Sequence, residues 1–378
     1  MIPQDTLEVV EQILKPLRKS QRKTITLVIK AMAAMGQAAS IPIAAFLSQL
    51  TATRVDSALT RFYRLLHNHQ LDDLLLTGRL LGFLSQCPSP LLVALDWTEW
   101  HPPLRMLLAS VIRGSRAIPV QSAVFLKDQI VRSQNTWENN FVRLFCLLLG
   151  QIQVKVCFLA DRGFRRVTFI KLLMEQKDHS FVVRIGDQIT IETKKHRRLL
   201  HQCGLQPGHA LDLGQVLLRQ DGAVTVRVVG IWAKGAREPW WLATNREDPL
   251  SSLAALYDRR MAIEEQIRDT KGARFGFQLV WTQIKTPQAL ARFTLLIGLT
   301  ILLLTAIGYA ISKHRPDVRL TSKKKGPRLS FVTVGYLFFH YFFAHYSLSL
   351  ESLKQNMPPP TLRSFPWLNH YPKRRIQK

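Results

Sequence analysis

The chain has 378 residues, of which 47% are hydrophobic, with 52 Lys and Arg against 26 Asp and Glu and a formal charge of +26. That apolar content excludes a disordered chain, and the length suits two or three domains around a large core. The charge exceeds what solubility needs and points to a polyanionic partner, while Cys87, Cys146, Cys157 and Cys203, with no CxxC pair among them, exclude a zinc ribbon and a disulfide framework and fit a reducing cytosol.

Residues 1–88 read as helical, and the first of them lack an apolar signal core. Thr6 to Leu17 is amphipathic, and Thr24 to Met35 is mostly apolar and stops at Gly36. Ser40-Ile41-Pro42 resembles a capped start with proline early in the next helix. Thr53 to Leu66 is expected to turn Val55, Leu59, Phe62 and Leu66 inward and to leave Arg54, Arg61 and Arg64 outside. Helix, turn, basic helix is compatible with a small DNA-binding bundle, a pattern that many other bundles share. Asp72 to Leu84 is a further helix.

Leu91 to Trp97, LLVALDW, is an apolar run bounded by prolines on both sides, the pattern of a buried strand, and it delivers Asp96 near its end. Leu104 to Arg113 and Ile118 to Phe125 follow as strands, and Glu138 to Leu149 as a helix. Val154 to Ala160 is a second buried strand, ending at Asp161. Helix-then-strand order places it parallel to the first, with Asp96 and Asp161 at the same sheet end. Arg165 to Glu175 is helical, and Phe181 to Thr244 breaks into short strand-like pieces. Within that region Lys194, Lys195, Arg197 and Arg198 form a basic block, either a solvated turn or a phosphate contact.

Ser252 to Lys271 is expected to be one helix. Tyr257, Arg260, Glu264, Arg268 and Lys271 recur along it at steps of three and four and so share a face, while Glu265 is turned away. An aromatic hydroxyl, a carboxylate and three cations on one face suit a DNA backbone, with the carboxylate on a metal and the cations on phosphates. The uncharged run Phe293 to Ile311, with Arg292 before it, passes the length threshold for a membrane span but reads as a central core helix. Lys323 to Arg328 is a basic loop, Val332 to Leu348 an aromatic-rich helix, and the tail is rich in Pro, Lys and Arg. Asp96, Asp161 and Glu264 form a hard oxygen-donor set whose mutual repulsion a divalent metal would relieve, and two metals about 3.5–4 Å apart suit phosphoryl transfer.

The blocks ALDWTEW with Asp96, FLADRGF with Asp161, and Tyr257-x2-Arg260-x3-Glu264-x6-Lys271 resemble, in that order, a bacterial DDE transposase of the insertion-sequence-four type with its Y-R-E-K signature. The resemblance covers roughly residues 20–345. It implies an α/β fold: a ribonuclease-H-like mixed sheet with a β-rich insertion, plus a helical N-terminal DNA-binding domain. The corresponding boundaries are 1–88, 89–178, 179–250, 251–345 and a basic tail over 346–378. It further implies that Asp96, Asp161 and Glu264 are catalytic and hold two Mg²⁺ or Mn²⁺, and that Tyr257, Arg260 and Lys271 contact transposon-end DNA. Arg162 would be a structural or phosphate-contacting neighbour, and Trp232, Trp240 and Trp241 are candidates to stack on a flipped base. The implied partners are double-stranded DNA with terminal inverted repeats and target DNA, bound by a homodimer in the synaptic complex. The implied reaction is end cleavage, with a hairpin, and strand transfer, in the bacterial cytoplasm at the nucleoid and away from membranes. A related metal-dependent nuclease without strand transfer, and a catalytically inactive DNA-binding protein, are the alternatives.

Overall fold

The structure is a computed structural model that describes residues 4–86, 90–101, 103–130, 134–193, 196–272, 277, 282–314 and 329–346. Helices α1 (Gln4–Leu14), α2 (Lys19–Met35), α3 (Ser40–Thr51), α4 (Val55–Leu66) and α5 (Asp73–Leu84) open the chain. Strands β1 (Leu91–His101), β2 (Leu104–Arg113) and β3 (Arg116–Leu126) follow, then the short α6 (Lys127–Ile130) and α7 (Gln134–Gln151). Next come β4 (Val156–Ala160), α8 (Val167–Glu175) and β5 (Ser180–Ile185), then β6 (Thr190–Glu192), β7 (Arg197–Leu199), β8 (Ala210–Arg219), β9 (Ala223–Ile231) and β10 (Trp240–Thr244). Helices α9 (Leu250–Asp258), α10 (Met261–Lys271), α11 (Pro287–His314) and α12 (Phe331–Tyr346) complete it.

The strands form one mixed sheet flanked by helices, in the order β3-β2-β1-β4-β5-β10-β9-β8-β6-β7. β1, β2 and β3 are antiparallel neighbours, while β4 lies parallel to β1 and β5 parallel to β4. All five residues of β4 are buried, which is why it reads as an unbroken apolar run rather than an alternating one. β10 pairs antiparallel with β5, so the strands of the β-rich stretch extend the same sheet instead of building a second one.

The helical opening segment departs from expectation in two details. Ser40 is not the cap of α3; Ala39 holds that position, and the Ser40 hydroxyl is buried without a partner. In α4 Phe62 and Leu66 are buried as expected and Leu59 packs partly buried on the core, but Ala58 and Leu65 complete the inward stripe and Val55 is 42% exposed.

α11 carries the long uncharged run. By length and composition it could cross a membrane, but 94% of its apolar window is buried by the rest of this chain. It lies on β3 and against α2 and α12. Its crossing with α12 is close enough that Gly308 and Gly335 sit on each other's helix backbones, with no room for a methyl group on either. The basic loop Lys323–Arg328, Lys194 and Lys195, and the tail beyond Tyr346 lie outside the described residues.

Candidate active site

The sheet brings two carboxylates together through register. Leu95 of β1 pairs with Ala160 of β4, and the next residue on each parallel strand is an aspartate, Asp96 and Asp161. The apolar stretches before them bury both strands, so the acids emerge side by side at one edge of the core. Burial pushes the Asp96 carboxyl up to about 7, with the neighbouring Asp161 as the second cause and Glu264 adding to it. Arg260 and the Trp97 backbone N–H act the other way. The three acids chosen from sequence therefore share one electrostatic environment.

Each acid is held differently. Asp161 accepts a hydrogen bond from Gly163 N (2.8 Å) at the start of the tight turn Arg162–Phe164. Gly163 has no Cβ, which leaves the space that the folded-back carboxylate needs. Phe164 is buried against Phe169, ring centroids 5.4 Å apart, and anchors the turn. Glu264 lies in the first turn of α10, where the helix dipole favours a negative charge, and accepts an ion-paired hydrogen bond from Arg260.

The expected single helix from Ser252 to Lys271 is broken. α9 ends at Asp258 and α10 begins at Met261, and the N–H groups of Arg259, Arg260, Ala262 and Ile263 each reach back three residues instead of four. This tighter winding lets the buried Arg260 lie over the Tyr257 ring (5.8 Å) while bonding Glu264. Tyr257 is buried too, edge-on to Trp240 at 5.0 Å, and burial raises its hydroxyl above the ordinary value. Lys271 donates to the carbonyl of Glu99 on β1, and burial lowers its pKa although Glu99 and Asp96 pull it back up. Tyr257, Arg260, Glu264 and Lys271 thus gather around Asp96 and Asp161. Arg268 does not join them; it is exposed and pairs with Glu265 at 3.3 Å.

Among the described residues, no three or more His, Cys, Asp or Glu side chains are gathered as a ready metal-binding group. Asp96 and Asp161 stand together, whereas the carboxylate of Glu264 is taken by Arg260.

Of the other expected contacts, Trp240 borders the site through Tyr257 and the rest are placed elsewhere. Arg61 and Arg64 line an open groove of about 740 Å³ between α2 and α4 with Ser20, Gln21, Thr24, Thr60 and the acid Asp56. Arg54 is exposed and lies 3.8 Å from Asp56. Arg197 and Arg198 are exposed on the edge strand β7. Trp241 is buried, Trp240 packs on Tyr257, and Trp232 closes the β9–β10 loop by donating Nε1 to the carbonyl of Ala236 (3.0 Å).

Three residues that sequence reading passes over support the site. Glu138 of α7 is 1% exposed and accepts from Trp97 Nε1 (2.7 Å), Gln134 Nε2 (3.0 Å) and Arg166 Nη2 (2.7 Å). It therefore ties the residue after Asp96 to the segment after Asp161. Arg184 of β5 and Glu238 of the β9–β10 loop form an ion pair at 2.8 Å, and Arg184 acts electrostatically on Tyr257. The one available signal was composition: in a chain this basic, a glutamate in an apolar helix or beside arginines is worth a question. No protein-family model matches the chain, and no curated protein shows significant similarity to it.

Proposed function

We propose that this chain is a metal-dependent DNA phosphoryl-transfer enzyme, a transposase of the insertion-sequence-four type on a ribonuclease-H-like sheet. The observation that carries the reading is the juxtaposition of Asp96 and Asp161 at the ends of adjacent parallel strands, with Tyr257 of α9, Arg260 of the α9–α10 turn, and Glu264 and Lys271 of α10 gathered around them. Three antiparallel strands, a helix and a fourth strand parallel to the first support the finer fold reading.

The donor set fits a hard divalent cation: it is all carboxylate, and the Asp96 carboxyl is pushed up to about 7 first by burial and then by the neighbouring acids, a penalty that a cation would relieve. Asp96, Asp161 and Glu264 would hold two Mg²⁺ or Mn²⁺, and such ions would supply activation of an attacking water or 3′-hydroxyl and stabilisation of the leaving 3′-oxygen. The chain's own groups supply positioning. Arg260, freed from Glu264, and Lys271 would bind the phosphates flanking the scissile bond, and the Tyr257 hydroxyl would donate to one of them. The groove lined by Arg61 and Arg64 would carry the outer part of the duplex. Base stacking would fall to Trp240 or Trp232, since Trp241 is buried in the core.

The Arg260–Glu264 pair also favours a second reading, a DNA-binding protein without chemistry, because it neutralises the third acid. A cleavage and joining assay separates them. It uses DNA carrying the inverted repeats that flank the gene, with Mg²⁺ or Mn²⁺, and compares the native protein with Glu264→Gln. Metal-dependent nicks and joined products that vanish in the variant, with binding retained, support the transposase. Cleavage without joining supports the nuclease, and binding without cleavage supports the inactive form.

A further inference from the structure

Glu238 sits on the exposed loop joining β9 to β10 and is shared by two arginines from different elements. Its Oε2 accepts from Arg162 Nη1 (3.1 Å), in the turn that follows Asp161, and its Oε1 from Arg184 Nη2 (2.8 Å), near the end of β5. We propose that Arg162 and Arg184 form a clamp for one backbone phosphodiester of DNA beside the carboxylate site, and that Glu238 holds this clamp closed until DNA displaces it. The proposal rests on the DNA-processing reading above and adds to it Arg184, the clamp and its latch.

The geometry matches the ligand. A phosphodiester presents two charged oxygens on one centre, as Glu238 does, and guanidinium groups bind carboxylate and phosphate by the same two-point geometry. Arg184 lies close enough to Tyr257 to influence its hydroxyl, and Arg162 directly follows Asp161, so an anion held by both lies next to the acids. The latch has a weak half and a firmer one. Arg162 and Glu238 are each 49% exposed, a setting in which ion pairs contribute little to stability, whereas Arg184 is 18% exposed and bonds Glu238 at 2.8 Å, so the Arg162 side opens first and a phosphate must replace Glu238 on Arg184. The loop is also built to keep its shape when released: Trp232 Nε1 donates to Ala236 O, and Gly235 takes a left-handed φ of 83°. Its other charged residues, Lys234 and Arg237, are exposed and basic, so removing Glu238 from the clamp leaves a loop that attracts DNA throughout.

The test is equilibrium binding of the full chain to a fluorescently labelled random-sequence duplex, at salt concentrations from about 50 to 200 mM. The proteins are native, Glu238→Gln, Arg184→Gln, the double variant, and Asp178→Asn. Asp178 is an exposed acid preceding β5, at the opposite end of that strand from Arg184, so its variant makes the same charge change elsewhere. Glu238→Gln is expected to bind severalfold more tightly at low salt, Asp178→Asn to match the native protein, and the double variant to fall back to the level of Arg184→Gln. Unchanged melting temperatures show that folding is intact. A Glu238→Gln gain no larger than that of Asp178→Asn, or one that survives loss of Arg184, overturns the clamp while leaving the DNA reading in place. Failure of the native protein and every variant to bind duplex overturns both. A parallel titration uses inorganic phosphate: saturable binding of phosphate by Glu238→Gln with no gain on the duplex overturns the assignment to DNA.

Discussion

Arg292 of α11 and Asp73 of α5 form a two-point ion pair, Nε to Oδ1 at 2.8 Å and Nη2 to Oδ2 at 3.0 Å. The same guanidinium donates to the carbonyls of Leu65, Leu66, Asn68 and Leu71, so one side chain, 2% exposed, satisfies the end of α4 and the connection to α5. It joins α4, which carries both Arg61 and Arg64, and α5 to the core helix α11. Arg292→Met strands a carboxylate and several buried carbonyls and is expected to cost about 3–5 kcal/mol in urea unfolding. Arg292→Lys keeps the charge without the planar fork and should recover only part of the loss. A cost below about 1 kcal/mol for Met would reduce the contact to an ordinary surface pair.

Glu138 plays the corresponding part inside the sheet domain. Replacement by Gln keeps an oxygen for the Trp97 indole but loses the charge that holds Arg166, whereas Ala loses both and leaves Arg166 as an unpaired, partly buried cation. Glu138→Ala is expected to cost about 3–5 kcal/mol, and Glu138→Gln distinctly less. In the cleavage assay Gln should lower turnover more than duplex affinity, since it loosens the elements that carry Asp96 and Asp161 without touching a DNA-facing cation. Equal losses in affinity and turnover would assign Glu138 to general folding alone.

These two residues show where sequence reading stopped. β1 and β4 were legible because apolar runs with clear boundaries have few alternative explanations, and their parallel pairing followed from the helix between them. Arg292 was read as the flank of an apolar run, since a cation beside such a run looks the same whether it meets solvent or a buried carboxylate. Glu138 is opaque because two of its three partners, Trp97 and Arg166, lie 41 residues before and 28 residues after it. The break between α9 and α10 has no glycine or proline to announce it, and the helical spacing of Tyr257, Arg260 and Glu264 runs through it unchanged. The tighter turn is accompanied by the burial of Arg260 over Tyr257 and by its bond to Glu264, contacts that spacing alone does not announce. β6, β9, β10 and the end of β8 are recognisable as strands, whereas β7 is hidden in the basic block around Arg197 and Arg198, and nothing in the alternation says which sheet these strands extend.

The carboxylate pair has a thermodynamic signature that can be read without any assay of DNA. Asp96 is an acid whose folded pKa is raised from 3.8 to about 7, chiefly by burial and then by Asp161. Between those values the folded protein holds a proton that the unfolded chain has released, so this group's contribution to stability falls as pH rises through the window, and the full penalty is present above it. Asn cannot titrate and escapes the penalty. The unfolding free energy of Asp96→Asn minus that of the native protein, from urea titrations, should therefore be near zero below about pH 4, grow up to about pH 7 and level off, with a ceiling on the order of a few kcal/mol. Asp161→Asn removes the second cause and should narrow the rise. A bound divalent cation stabilises the ionised acids, so millimolar Mg²⁺ or Mn²⁺ at pH 7.5 should raise the melting temperature of the native protein and leave Asp96→Asn unmoved. A pH-dependent difference with no response to either metal would keep the strained acid pair and remove the cation from the mechanism.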